Sequence, residues 1–199
     1  MARYPRFLFW TDFETTTLPV GLDFSGVHVL EVAVIVTDLD LNKKVGYQSV
    51  VALTPEAAQS IRGNQFVKDM HTKSGLLREC VEATRAGTGL SLAQVEQEIL
   101  GCIGEFGGHD DFIIAGSGVA AFDHPLIKVK MPTLATWLAY FPFDIGVMRR
   151  VSHILSGKEI VSHTAMSYGE EKAHRALADV EAHLEEATKY RTVLREAFG

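Results

Sequence analysis

Three short stretches carry side chains whose types and spacing suit chemistry at an anionic centre. The first is Asp12-Phe13-Glu14, two carboxylates two residues apart at the end of the apolar run Phe7-Leu8-Phe9-Trp10-Thr11. In an extended strand, residues two apart point to the same face, so this spacing sets like charges side by side. Folding alone gives no reason for that, whereas a divalent cation does, because hard ions such as Mg²⁺ and Mn²⁺ take oxygen ligands. The plain alternative is a strand that ends at a polar edge. In the second stretch, Asp123 follows the Gly-rich turn Gly116-Ser117-Gly118. Such strand-to-helix turns lie at the end of an α/β sheet where sites gather, although a helix N-terminal acid stabilised by the dipole is an equal reading of Asp123 alone. The third is His174-Arg175-Ala176-Leu177-Ala178-Asp179. Residues five apart stand about 140° apart around an ideal helix. The pair therefore shares a site if His174 lies on the approach to a helix and Asp179 in its first turns. Otherwise it is an exposed His and a solvated acid.

The elements that must position these residues can be read from hydrophobic periodicity. Residues 7–13 form a first, largely buried strand, followed by turn residues as far as Gly26. Residues 27–39 are β-branched and apolar with Glu31 as the one acidic interruption, and residues 45–53 complete an antiparallel meander. Beyond Pro55 the pattern is mostly helical, with short helices at 64–70 and 75–83 joined near His71. A longer helix opens at Ser91, whose capping-box partner is Gln94, and ends at Gly107-Gly108. A buried strand at 111–115, a helix at 121–129, a fifth strand at 143–145 and a helix to about Leu155 follow. Residues 156–169 read as irregular. The last helix spans about 173–198, with Leu177, Val180, Leu184, Ala187 and Leu194 on one face. Strands that meander and then alternate with helices indicate one α/β domain over residues 1–199, with a mixed central sheet.

Composition narrows the function. The 199 residues suffice for one well-buried core, and 47% hydrophobic with 22% charged residues is ordinary for a globular protein. A net charge of −6 excludes a global basic field for holding long nucleic acid, so an anionic substrate must be gripped locally by metal and a few cations. Cys80 and Cys102 stand in no zinc or disulfide spacing, and the first apolar run is too short and too soon charged for a signal peptide or membrane span. The expected compartment is the cytoplasm.

Together, Asp-x-Glu ending a first strand, an Asp after a middle strand and His-x₄-Asp opening a last helix resemble the DEDDh subgroup of 3′–5′ exonucleases, with a ribonuclease H-like fold. The resemblance maps Asp12, Glu14, Asp123 and Asp179 onto that group's metal ligands and His174 onto its general base. Four converging carboxylates need cations, since each pair ~4 Å apart costs about 4 kcal/mol at an effective dielectric near 20. Two Mg²⁺ or Mn²⁺ ions would neutralise them, activate water and steady the leaving 3′ oxygen. Histidine, with an ordinary pKa near 6.5, suits removal of the water's proton.

Within the subgroup the chain is most similar to oligoribonuclease, over most of its length. Asp12-Phe13-Glu14-Thr15-Thr16-Thr17-Leu18 resembles that family's Asp-Leu-Glu-Met-Thr-Gly-Leu, and Met70-His71-Thr72-Lys73-Ser74-Gly75-Leu76 its Thr-His-x-x-Ser-Gly-Leu. The resemblance implies substrate contacts at Leu18 (a wedge against terminal bases), Phe66 (a stacking platform), His71, Ser74 and Tyr140, although Leu18 and Phe66 serve equally as core packing. It also implies a homodimer that degrades short single-stranded RNA to 5′-mononucleotides. The chain departs from the family's Tyr-Arg-Tyr-Leu-Asp-Val-Ser segment, whose Arg and Ser cap the substrate's 5′ phosphate. Here Tyr140 and Asp144 match, but Phe141 and Gly146 replace the Arg and Ser. Substrate length is thus left open. So is the sugar, since a DNA or broad-specificity exonuclease would use the same catalytic residues. A non-cutting nucleic-acid-binding module is the remaining alternative, and the complete set of five catalytic residues argues against it.

Overall fold

The strand that carries Asp12 and Glu14 runs through the middle of the molecule. In the computed structural model, which describes residues 4–157 and 174–198, β1 (Phe7–Thr15) pairs antiparallel with β2 (Val29–Asp38) and parallel with β4 (Phe112–Gly116). β3 (Lys43–Val50) continues the meander beyond β2, and β5 (Phe143–Asp144) lies parallel to β4, which gives the order β3-β2-β1-β4-β5. The mixed sheet is thus as expected. The irregular stretch read at 156–169 lies, apart from its first two residues, outside the described residues.

The helices are α1 (Pro55–Gly63), α2 (Gln65–Lys73), α3 (Leu76–Ala86), α4 (Leu92–Ile103), α5 (Asp123–Lys130), α6 (Pro132–Ala135), α7 (Ile145–Ser156) and α8 (Ala176–Phe198). Their starts follow from local chemistry. The Thr54 hydroxyl accepts from the Ala57 N–H, the Asn64 carbonyl from Val67, and Ser91 and Gln94 close the expected capping box. α4 stops at Ile103, short of the expected Gly107-Gly108. α5 begins at Asp123 rather than at residue 121. The Asp144 carboxylate takes the Gly118 and Ala120 N–H groups at 3.1 and 3.3 Å and so holds the preceding residues in a turn. That turn needs Gly116, where a Cβ would meet Val119 Cγ1 at 2.6 Å and the Thr11 carbonyl at 3.0 Å.

Alternation along β1 divides the core into two layers. Phe9 and Phe13 pack with Val32, Val34, Val36 and Ile114 of the sheet against Val95, Ile99 and Ile103 of α4 and Leu126 and Ile127 of α5. On the opposite face, Leu8, Trp10, Ala33, Ile35, Ile113 and Ala115 pack against Ala176, Val180, Ala187 and Tyr190 of α8. Along this second face the side chains change character. β1 runs from Leu8 and Trp10 to Asp12 and Glu14, and β2 from Ile35 and Ala33 to Glu31, which pairs directly with Glu14. The apolar part docks α8, and the acidic part meets its first turn. No described helix is long and apolar enough to cross a membrane.

Trp10, fully buried, donates its indole N–H to Thr37 Oγ1 at 3.0 Å and so ties β1 to β2 within the α8 face. Thr37→Val keeps the shape and orphans that donor. The expected loss is about 1–3 kcal/mol, read as a lower denaturant midpoint at unchanged m-value.

Candidate active site

Three of the five residues anticipated for chemistry converge directly. Asp12 and Glu14 from β1 and Asp179 from the first turn of α8 each present a carboxylate oxygen, all within 4.8 Å of one another. Asp123 is buried at the start of α5 and stands close enough to Asp12 to repel it. It lies outside the three-oxygen group. His174 sits two residues ahead of α8, exposed, with a left-handed φ of 63°. Placed there rather than inside the helix, it escapes the angular separation that a five-residue spacing would impose, and its charge is felt by Asp179.

The acids pay for this proximity in proton affinity. Burial foremost, then repulsion from Asp123, Glu14 and Asp179, raises Asp12 well above the usual carboxylate range. Burial and the charges of Asp179 and Glu31 push Glu14 up to about 8, and burial pushes Asp123 up to about 7. Burial also raises Asp179, a shift that His174 opposes. Carboxylates so short of compensating donors form a site that fits a hard divalent cation, which supplies the missing positive charge.

The residues expected to touch substrate divide into two groups. Leu18, Phe66 and Tyr140 are 72%, 76% and 86% exposed, so none of them is core. His71 and Ser74, which the resemblance assigns to substrate contact, are buried. His71 points inward from α2 and donates from Nε2 to the Thr15 carbonyl at 3.0 Å, while its unpartnered Nδ1 stands 3.9 Å from Glu14 Oε2. Burial lowers its pKa and keeps it neutral beneath Glu14. Ser74 donates to the His71 carbonyl. Phe141 packs against Tyr4 with ring centroids 6.0 Å apart and lines a cavity of about 740 Å³ at the far, apolar end of the α8 face. At Gly146 a Cβ would meet Ser117 Oγ at 2.8 Å, so the serine hydroxyl fills the space that a side chain there would need.

Sequence reading gave no role to Glu31, although its isolation in an apolar strand was the signal. Fully buried, it accepts from Arg175 Nη2 and Nε at 2.8 and 3.1 Å, from the Ala176 N–H at 3.0 Å and from Gln48 at 2.8 Å. Arg175 also grips Glu79 of α3 through two bonds of 2.7 and 2.9 Å. Hydrogen bonding to Glu31, and then to Glu79, raises the Arg175 pKa further above its ordinary value.

No family model matches the chain. The oligoribonuclease of Corynebacterium diphtheriae is 33% identical over 189 residues, covering 92% of this chain and 81% of the relative. The chain belongs to the oligoribonuclease family. The oligoribonuclease of Leifsonia xyli subsp. xyli is 30% identical over 191 residues, covering 96% and 85%. The fold is also that of exonuclease I. The Methylocaldum szegediense enzyme superposes with a TM-score of 0.61 at 23% identity, and the zinc-bound Escherichia coli enzyme in complex with single-stranded DNA with 0.61 at 17%. Each likeness covers 94% of this chain but only 40% and 41% of those longer proteins. This oligoribonuclease-family chain thus spans most of its curated relatives and about two-fifths of the solved exonucleases.

The raised acids make metal-free stability depend on pH. A group whose pKa is higher folded than unfolded stabilises the fold below its unfolded value and ceases to do so as pH climbs through the folded one. By about pH 7.5 the depressed histidines His28, His71 and His124 are almost wholly neutral in both the folded and the unfolded chain, whose ordinary value is near 6.5, while Glu14 (about 8) and, in part, Asp123 (about 7) still titrate. The metal-free melting temperature is therefore expected to fall from pH 7.5 to 8.5. Added Mn²⁺ should raise it more at pH 8.5 than at pH 7.5. A metal-free melting temperature that stays level or rises from pH 7.5 to 8.5 contradicts this electrostatic account.

Proposed function

We propose that the chain is a metal-dependent 3′–5′ exonuclease that degrades short single-stranded oligoribonucleotides to 5′-mononucleotides. The observation that carries this reading is the convergence of the Asp12, Glu14 and Asp179 carboxylates, with Asp123 beside Asp12 and His174 at the edge, in an oligoribonuclease-family chain. Asp12, Glu14, Asp123 and Asp179 would hold two ions, Mg²⁺ or Mn²⁺. When bound, such ions acidify a water and stabilise charge on the leaving 3′ oxygen during in-line displacement at phosphorus. His174 accepts the proton of the attacking water, which forms the new P–O bond as the bond to the 3′ oxygen breaks. His71 supports Glu14 from below and keeps that side of the site dry.

Leu18 and Phe66 supply apolar surface for the terminal bases. Large apolar side chains left in water gain most from a planar, stackable ligand. Tyr140 is a further contact suggested by the resemblance. A broader exonuclease that also takes DNA or longer strands is the second reading, favoured by Phe141 and Gly146 at the positions where the family has an Arg and a Ser. One exonuclease domain, a homodimeric assembly by family resemblance, and a cytoplasmic location that suits two free cysteines complete the proposal.

The test is to incubate 5′-labelled RNA and DNA of two to about twenty nucleotides with Mg²⁺, Mn²⁺ or chelator, alongside Asp12→Ala. Metal-dependent shortening from the 3′ end, lost in the variant, is expected. Intact substrate in every lane would sink the proposal, and equal cutting of DNA would move it to the second reading. Phe66→Ala and Leu18→Ala, both at exposed positions, should leave the melting temperature within about 1 °C. Each should raise KM for a dinucleotide about tenfold, in line with the ~1–3 kcal/mol of a base stack.

A further inference from the structure

The strongest unassigned feature is the cluster in which Arg175 joins the buried Glu31 to the partly exposed Glu79. Glu31 shares the α8 face of the sheet with Asp12 and Glu14 and pairs with Glu14 in register, yet its oxygens are not part of the metal-competent group. Its acceptor capacity is taken up by Arg175, Gln48 and the Ala176 N–H, the first of α8. A carboxylate saturated in this way is unavailable to a cation. It instead accepts the N–H that opens α8, with the negative charge placed at the positive end of the helix dipole. Arg175 then clamps the same point from two sides, to Glu31 of the sheet and Glu79 of α3, through paired bonds that fix the plane of its guanidinium.

The residue immediately before this clamp is His174, held in the left-handed region where a non-glycine residue stays only if its surroundings hold it there. His174 is exposed and no hydrogen bond among those described fixes its ring, so the backbone that follows it must set its direction.

We infer that Glu31 and Arg175 are positioning residues that lock the entry to α8, presenting the His174 imidazole to the carboxylates of Asp12, Glu14 and Asp179. Glu79 completes the lock from α3. The inference rests on the reading of His174 as the general base. Removing the clamp relaxes residue 174 and also withdraws the positive charge that Glu14 feels from Arg175, so the loss falls chiefly on turnover and the share that passes through His174 must be separated from the rest.

The experiment is a double-mutant cycle on the metal-loaded protein, with kcat and KM measured on a labelled oligoribonucleotide. Arg175→Ala is expected to lower kcat about 10–100-fold, the usual cost of losing a group that orients a catalytic one, with KM changed less than about twofold. Arg175→Lys should recover part of the loss, and Glu79→Gln should cost less than Arg175→Ala. In a His174→Ala background, Arg175→Ala should cost several-fold less than in the wild type, because the part that acts through the base is gone and only the charge felt by Glu14 remains. An equal fold loss in both backgrounds, or a wild-type kcat for Arg175→Ala, overturns the inference. If Arg175→Ala fails to fold by circular dichroism, Arg175→Lys carries the same cycle. If His174→Ala is too slow to measure, the histidine ring signals in a ¹H–¹³C spectrum decide. The His174 signal, assigned by its loss in His174→Ala, must move in the Arg175 variant while that of remote His109 stays. An inactive wild type would instead remove the nuclease reading itself.

Discussion

The constraint on which the structure depends is electrostatic: one face of one sheet changes from apolar to acidic within two residues. Trp10 is fully buried against α8, and Asp12, the next residue on that face, begins a group of carboxylates partly withdrawn from water. Repulsion among them would splay the strand end and lift α8 away, but the apolar half of the interface holds. Val180, Ala187 and Tyr190 dock the helix on the sheet, and its first turn must follow. The cost appears as raised proton affinity at Asp12, Glu14, Asp123 and Asp179, which a bound cation would relieve. Fold stability is thus converted into an appetite for metal.

Carboxylates in this region fall into two kinds, divided by how many donors each receives. Glu31 is saturated, bonded to a guanidinium, a backbone N–H and an amide, and it anchors. Asp144 is likewise occupied, by the N–H groups of Gly118, Ala120 and Val147, and it holds the turn before α5 to the start of α7. Among the described residues no hydrogen bond reaches the carboxylate of Asp12, Glu14 or Asp179, and the three face one another. The same side-chain chemistry therefore gives scaffold or site according to the donors that the fold supplies.

Around the acids, the surface differs from the floor. Leu18 and Phe66 project into water, whereas His71 and Ser74, close in sequence to Phe66, turn inward beneath β1. One short helix thus separates a base-sized apolar surface from a dry support for Glu14. At the segment where the family has Arg and Ser, the Phe141 ring packs on Tyr4, and Ser117 occupies the space beside Gly146.

Much of this was legible in the chain because it rests on local periodicity and local hydrogen bonds. The three-strand meander, the capping box at Ser91 and Gln94, and the two-residue spacing of Asp12 and Glu14 each follow from a few neighbouring residues. The helix starts at Asp123 and Ala176 were not legible, because both are set by distant carboxylates, Asp144 in one case and Glu31 in the other. Nor could residue order tell that His71 is buried while Phe66 is exposed, since that depends on which helix face meets β1. By itself, the sequence determined which side chains were available for metal chemistry and on which kind of element each would lie. The tertiary structure alone decided which carboxylates would be starved of donors and which satisfied. Donors arrive from strands and helices up to 145 residues away, and only the closed sheet with α8 docked brings them there.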